Sequence, residues 1–295
     1  GYTYPHDYVY YPEKIIAFNE SGRVHSAVAV AADEDIAGYG VFQIWDENPQ
    51  IVEMAQGVVK PEYRSMGCFG NITRYLLDQA KAAGIKGAFG EAVTNHTVSQ
   101  HTVHGFGFRD CGLRLGLIPS DTVFKEMKAA VSQRISMVVQ FLYLQPPTAV
   151  SRKVYAPPHH QGILMDLYQE LGVKPTMITA ATAYDKNQSS NTEFKIKLFG
   201  SMNYARVMID GYGENTIAAI KAEVRELCLK KIEIINLFLN LADPLTTGTT
   251  AQIEKMGFFF AGILPNGFKD GDALILQYLN NVPIDYDAIQ VKSAM

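Results

Sequence analysis

The sequence predicts an α/β protein in two tandem halves, 1–147 and 148–295, and three observations carry that reading. Its 295 residues are about twice the length of an ordinary single domain, so each half can bury a core of its own. Segments with strand patterning alternate with segments of helical spacing along the whole chain. The two halves also resemble each other letter by letter. GFGFRDCGLRLGLIP, from Gly105 to Pro119, resembles MGFFFAGILP, from Met256 to Pro265, and QFLYLQPP, from Gln140 to Pro147, resembles ILQYLNNVP, from Ile275 to Pro283. Gly107 and Gly257 lie 150 residues apart, a repeat as long as a whole domain. The boundary therefore falls at the turn from Gln145 to Thr148, at Pro146 and Pro147, with one large mixed sheet as the alternative.

The elements follow in order. KIIAFNESGRVHSAVAVAA, from Lys14 to Ala32, reads as two β-favouring stretches around a turn-rich pause at Asn19 to Arg23. IVEMAQGVV is a strand that stops at Pro61, and NITRYLLDQAKAAG is a helix with Ile72, Tyr75, Leu76 and Gln79 at helical spacing, ended by Gly84. IKGAFGEAV is a strand, TVSQHTVHG a short helix, and FRDCGLRLGLI and ISMVVQFLYL are strands. QGILMDLYQELG, a helix, follows the turn at Pro157 and Pro158, where His159 and His160 read as a helix start. The second half then repeats the order: NYARVMIDG strand, ENTIAAIKAEVRELCLKK helix, IEIINLFLNLA strand, TTGTTAQIEKMG helix, and FFFAGILP and ALILQYLNN strands.

Composition removes several classes of function. With 47% hydrophobic and 19% charged residues, 15 Phe and 16 Tyr, the chain is folded rather than disordered. A net charge of -4 without a local run of Lys and Arg offers no field for a phosphodiester backbone, so no nucleic acid partner is expected. The longest apolar run, Ile135 to Leu144, is too short to span a bilayer, so no membrane partner is expected either. Cys68, Cys111 and Cys228 have neither the spacing of a zinc site nor the density of a disulfide scaffold. The expectation is therefore a cytoplasmic protein without a metal. The chain opens on Gly1, which reads as a boundary with further sequence upstream.

The stretch that carries chemistry is VVKPEYRSMGCFGNITRYLL, from Val58 to Leu77, where a strand runs through a turn bearing Arg64, Gly67 and Gly70 into a helix. A helix N-terminus offers several backbone N–H groups and a favourable dipole to a diphosphate, and glycines permit its close approach. This stretch resembles the acetyl-CoA motif of the GNAT N-acetyltransferase superfamily, a hydrophobic strand followed by Q/R-x-x-G-x-G/A. Gly67 matches the first family glycine, whereas Phe69 fills the second small position and Gly70 follows one place later.

The resemblance covers roughly residues 13 to 145. It implies two GNAT-like acyl-CoA N-acyltransferase domains, each a mixed, mainly antiparallel twisted sheet flanked by helices, with acetyl-CoA as co-substrate. Arg64, Ser65, Met66, Gly67, Cys68, Phe69 and Gly70 would then hold the diphosphate, and Val58 and Val59 would offer backbone groups to the pantetheine arm. His96 falls where the family often carries Asn, and Ser99 where a small residue touches the cofactor arm.

An acceptor ammonium must lose a proton before it attacks a thioester, so a carboxylate base is needed. Glu53, on the motif strand, is the first candidate, and Glu91, at the end of the next strand, is the second. The Tyr that protonates the leaving thiolate in many family members is replaced here by Val103. His101 and His104 read as exposed helix residues, with Thr94 or Asn95 as the cap, and the aromatic run Tyr2, Tyr4, Tyr8, Tyr10 and Tyr11 as packing on the sheet.

In the second half the matching junction, MIDGYGENTIAAI, has no Arg or Gln before the correct glycine, and Glu214 lies where a diphosphate would be. Gly211 and Gly213 read there as turn glycines, and the second copy as degenerate. The expected partner is an amine acceptor, a small molecule or a protein, and a homodimer is compatible with this reading.

Overall fold

The computed structural model describes residues 4, 7–122, 133–145, 152–179 and 190–292. The expected boundary at Pro146 and Pro147 lies outside them. The N-terminal half contains strands β1 (Val24–Val30), β2 (Ile36–Ile44), β3 (Ile51–Val59), β4 (Gly87–Val93), β5 (Arg109–Ile118) and β6 (Ile135–Tyr143), with helices α1 (Pro12–Glu20), α2 (Cys68–Ala82) and α3 (Val98–Gly105).

In the C-terminal half, a short parallel pair, β7 (Lys153–Tyr155) and β8 (Thr176–Ile178), flanks α4 (Gln161–Glu170). After it come β9 (Glu193–Phe199), β10 (Tyr204–Gly211), α5 (Thr216–Leu229), β11 (Ile234–Asn240), α6 (Thr246–Glu254), β12 (Phe259–Leu264) and β13 (Ala273–Leu279).

The expected first strand is absent, because residues 12–20 form α1. Pro12 sits at the start, where a missing N–H costs nothing, and Ile15, Phe18 and Asn19, spaced three and four apart, face the sheet. Asn19 then ties the helix to β1: its Nδ2 donates to the Ser26 Oγ at 3.0 Å and its Oδ1 accepts from the Ser26 N–H at 2.9 Å. In α2 the buried residues Ile72, Thr73, Leu76, Leu77 and Ala80 form one stripe, packed on Phe42, Val52 and Ala88 of the sheet.

The strands form one eleven-stranded sheet in the order β1-β2-β3-β4-β6-β5-β12-β13-β11-β10-β9, in place of two separate sheets. Each half contributes the same pattern. β2 and β3 pair antiparallel, β3 and β4 parallel, and β6 lies antiparallel between β4 and β5. In the other half β9, β10, β11, β13 and β12 repeat these relations in the same order.

Both β5 and β12 carry a bulge shortly after their starts, at Asp110/Gly112 and at Phe260/Gly262, and the two strands meet at those glycines, with Gly112 opposite Gly262. A Cβ on Gly262 would lie 2.3 Å from the Gly112 Cα, so only glycine allows the two backbones this close. The sheets therefore fuse where each would otherwise end in an open edge.

The core crosses the same seam. Trp45, Ile51, Phe89 and Phe141 of the first half cluster with Phe238, Leu239, Ile263 and Leu274 of the second. Polar ties run across it too. Gln277 Oε1 accepts from the Leu115 N–H at 2.8 Å while its Nε2 donates to the Leu115 carbonyl at 3.0 Å, and the Trp45 Nε1 donates to the Gly267 carbonyl at 3.1 Å.

Arg134 is the densest tie. Its buried guanidinium donates to the carbonyls of Gly116, Leu117 and Met202 at 2.5, 2.9 and 2.6 Å and pairs with Glu233 at 2.7 Å. Replacing it strands three buried carbonyls, so Arg134→Ala is expected to cost about 3–5 kcal/mol in urea unfolding, with both halves melting together.

Candidate active site

β3 and β4 pair in parallel over only four positions, from Ile51 opposite Gly87 to Met54 opposite Gly90. Both strands continue past that point, β3 to Val59 and β4 to Val93, paired only with their outer neighbours β2 and β6. The cause is a bulge in β3 at Gln56 and Gly57, opposite Gly40, with Gln56 at a φ of +57°. The parting leaves a V-shaped opening whose inner edges are unpaired strand backbone. Val58, with its exposed side chain, and Val59 lie on one edge.

β3 then leads through a short turn, Pro61–Tyr63, to Arg64, Ser65 and Met66, all at the surface. Gly67 precedes α2 with a φ of +81°, a left-handed conformation that L side chains resist, and no side chain caps the helix behind it. A Cβ on Gly67 would meet nothing nearer than the Asn71 amide at 4.0 Å. The first-turn residues Cys68, Phe69 and Gly70 therefore start a helix whose N-terminus faces open space. The Phe69 ring turns away from it to lie against Gly57, where a Cβ would approach it to 2.4 Å. That packing explains how Phe occupies a position where a small residue was expected.

On the other side of the opening, the turn after β4 brings His96 and Ser99. His96 Nδ1 and Ser99 Oγ are both buried polar atoms without a hydrogen-bond partner within the protein. Burial holds the His96 imidazole below its usual pKa, so it stays neutral at neutral pH. Such stranded groups fit a site built for a polar extended ligand.

Other expectations around this turn are corrected. Thr97 precedes α3, while the Thr94 hydroxyl donates to the Ser136 carbonyl at 3.0 Å, so neither Thr94 nor Asn95 is the cap. His104 is half-buried, with its Nε2 2.6 Å from Asp110 Oδ1, and Lys292 Nζ lies 3.2 Å from its Nδ1. His101 is exposed. Val103 packs into the apolar core against α2.

Glu53 and Glu91 project from β3 and β4 on the face away from α2, beside the start of the opening. Burial, and then the neighbouring Glu91 charge, push the Glu53 carboxyl up to about 7, against the opposing pull of Arg206, Arg114 and Lys197. Glu53 is therefore not a solvent-facing charge. Glu91 is already engaged by the buried Arg114 guanidinium, which makes it a counter-ion rather than a free base.

Sequence reasoning missed these cations. Arg114 also lies 5.0 Å over the Tyr204 ring, and the Asn236 amide, oriented with its oxygen toward Arg114, accepts from Nε at 2.6 Å. Arg206 stacks 4.0 Å over Trp45 and pairs with Glu47 at 2.8 Å, and Lys197 reaches Asp46 at 3.1 Å. A lone arginine inside an apolar strand, as in CGLRLGLI and NYARVMI, was the available signal. Tyr4 and Tyr8 close on Glu53 from the N-terminus, and the Tyr8 hydroxyl accepts from Gln56 Nε2. Both tyrosines thus face a polar group, and the Tyr8 ring lies edge-on to Phe18 of α1 at 4.9 Å.

The matching turn of the second half is filled from within. Gly213 is buried so tightly that a Cβ would fall 2.4 Å from the Asn191 backbone, and its N–H donates to the Thr216 and Thr192 hydroxyls at 3.0 and 3.2 Å. The Thr216 N–H returns to the Gly213 carbonyl at 3.1 Å, and Glu214 is exposed above it. Gly211 and Gly213 form a closed turn, with its amides already used within the protein.

Among the described residues no helix is long and apolar enough to cross a membrane. No curated protein sequence matches the chain. Several similar solved structures carry acetyltransferase names. The ribosomal-protein-S18-alanine N-acetyltransferase of Escherichia coli is 15% identical over 48% of this chain and 81% of its own, with a TM-score of 0.38. A phosphinothricin acetyltransferase of Sinorhizobium meliloti in complex with AcCoA is 17% identical over 47% and 71%, also at 0.38. YncA of Salmonella typhimurium, solved with its cofactor acetyl-CoA, is 17% identical over 46% and 76%, at 0.37. The model of the Acetyltransferase (GNAT) family matches residues 2–108, the segment that holds the parted strands, the Gly67 turn and Glu53. By that match residues 2–108 are similar to the GNAT acetyltransferase family.

Proposed function

We propose that the chain is an N-acetyltransferase that moves the acetyl group of acetyl-CoA to an amine by direct attack on the thioester, with residues 1–147 holding the co-substrate and 148–295 a degenerate GNAT-like copy. The observation that carries this reading is the parting of β3 from β4 beside an open helix N-terminus. The unpaired backbone of Val58 and Val59 suits the amides of an extended pantetheine arm. The amides at Gly67 to Gly70 and the Arg64 side chain suit a diphosphate, and His96 and Ser99 supply polar atoms that lack partners within the protein.

Acetyl-CoA supplies an activated acyl carbon. Glu53 takes the proton that the acceptor ammonium loses, directly or through a water, and a carboxyl that titrates near 7 is matched to that task at neutral pH. As the new C–N bond forms and the C–S bond breaks, the nitrogen releases its second proton to solvent and the thiolate takes one from solvent, because Val103 has none to give. Glu91, held by Arg114, keeps Glu53 basic through its charge.

The apolar Val103 favours one second reading, a module that binds acetyl-CoA without turnover. Calorimetric titration with acetyl-CoA and with CoA, followed by thiol release across a panel of small amines and peptides with free amino groups, separates the two. Binding with turnover is the expected result. Binding without release across the panel supports the sensor, and absence of binding by the folded chain removes both.

A further inference from the structure

Away from that site, the Pro157–Pro158 turn and the last residue of α6 bring three donors together. His159 Nε2 lies 2.6 Å from Glu254 Oε2, and His160 Nε2 lies 2.5 Å from Glu254 Oε1. Both imidazoles converge on a single carboxylate, and the donor atoms of all three residues fall within 4.8 Å of one another. We propose that His159, His160 and Glu254 form a binding site for a divalent transition metal of the zinc type.

The donor set selects the class. Two imidazole nitrogens and one carboxylate oxygen suit zinc, cobalt or nickel, whereas magnesium and calcium require oxygen ligands. The geometry is close to what such an ion needs. Zinc bonds of about 2.0–2.2 Å in a tetrahedron set neighbouring ligand atoms about 3.3 Å apart, so each histidine would withdraw from Glu254 by less than about 1 Å. The fourth position would face solvent, since the His159 side chain is 48% exposed.

The supports are rigid. Two prolines fix the turn that carries the histidines, and the two rings lie 4.1 Å apart at a tilt of 49°, with His160 also against Phe260 at 4.9 Å. Glu254 moreover ends α6, where the negative pole of the helix disfavours a carboxylate and favours a cation beside it. The ion would pin the start of α4 to the end of α6. This proposal stands apart from the acetyl-transfer reading and does not depend on it.

Untagged full-length protein, stripped with EDTA and titrated with zinc chloride by calorimetry, is expected to take up one ion per chain with a rise in Tm. In the H159Q/H160Q variant the affinity should fall by at least about 100-fold. Zinc-edge absorption spectroscopy of the wild-type complex, which needs no variant, should show two imidazoles and light oxygen scatterers. Lack of uptake by the wild type overturns the proposal. So does equal uptake by the folded double variant, or a sulfur shell pointing to Cys68, Cys111 or Cys228.

Discussion

Gly67→Glu is expected to abolish acetyl-CoA binding, with a loss of at least about 100-fold by calorimetry and little change in the folded state. Gly67 holds a φ of +81°, so any side chain there adds about 1–2 kcal/mol of strain. Its Cβ position is open, so the glutamate side chain meets no wall and the sheet behind is undisturbed. The charge is what removes binding, because it sits at the start of α2, where a diphosphate would accept its hydrogen bonds. Gly67→Ala separates strain from charge and should lose far less. Glu214→Ala should change nothing, since the amides of that turn are already paired within the protein. Equal losses from Gly67→Glu and Glu214→Ala would overturn the assignment of the nucleotide to the first half.

The second large effect belongs to Glu53→Gln. Loss of a general base lowers kcat by about 100- to 10,000-fold, and affinity for acetyl-CoA should be retained because Glu53 lies beside the opening rather than along it. The wild-type rate should climb with pH through an apparent value near 7, as Glu53 loses its proton, and this rise should flatten in the variant.

Stability should move the opposite way. The folded-state value, raised from 4.5 to about 7, means that the stability linked to the protonated carboxyl is full below pH 4.5 and is lost as the pH rises through 7. The loss approaches roughly 3 kcal/mol above that range. Glutamine never ionises, so the Tm gain of the variant should be larger at pH 8 than at pH 5. A variant equally stable at both values, relative to wild type, would show that Glu53 titrates as an ordinary surface carboxylate.

Local patterning made much of the fold legible. Of the positions Ile72, Tyr75, Leu76 and Gln79, Ile72 and Leu76 do lie on the buried face of α2, whereas Tyr75 and Gln79 are exposed and Leu77 and Ala80 complete the stripe; Gly84, at a φ of +75°, follows its end. The run from Lys14 to Phe18 misled because adjacent isoleucines look like a strand, whereas Pro12 and the spacing of Ile15, Phe18 and Asn19 make it α1. A single mixed sheet was legible only as an alternative to two, since the fusion depends on one close approach between Gly112 and Gly262 that no local pattern encodes.

The site divides in the same way. The Gly67 turn and Glu53 follow from their neighbours in sequence. The cations that set the Glu53 charge state do not: Arg206 and Lys197 arrive from the other half, and Arg114 looks from its neighbours like part of an apolar strand.

The Gly112–Gly262 junction also bears on what the C-terminal half does for the N-terminal one. An isolated N-terminal half would finish in β5, a ten-residue strand with its outer backbone groups unanswered, and such a margin templates aggregation. β12 pairs with it at Gly112, the Gln277 amide holds the Leu115 backbone, and the apolar wall behind Trp45 and Phe89 is completed by Phe238 and its neighbours. Severing the backbone between residues 145 and 152 would therefore leave the two fragments held as one particle. The C-terminal half needs only to keep offering that strand and that wall for natural selection to retain it, whatever becomes of its own turn at Gly213.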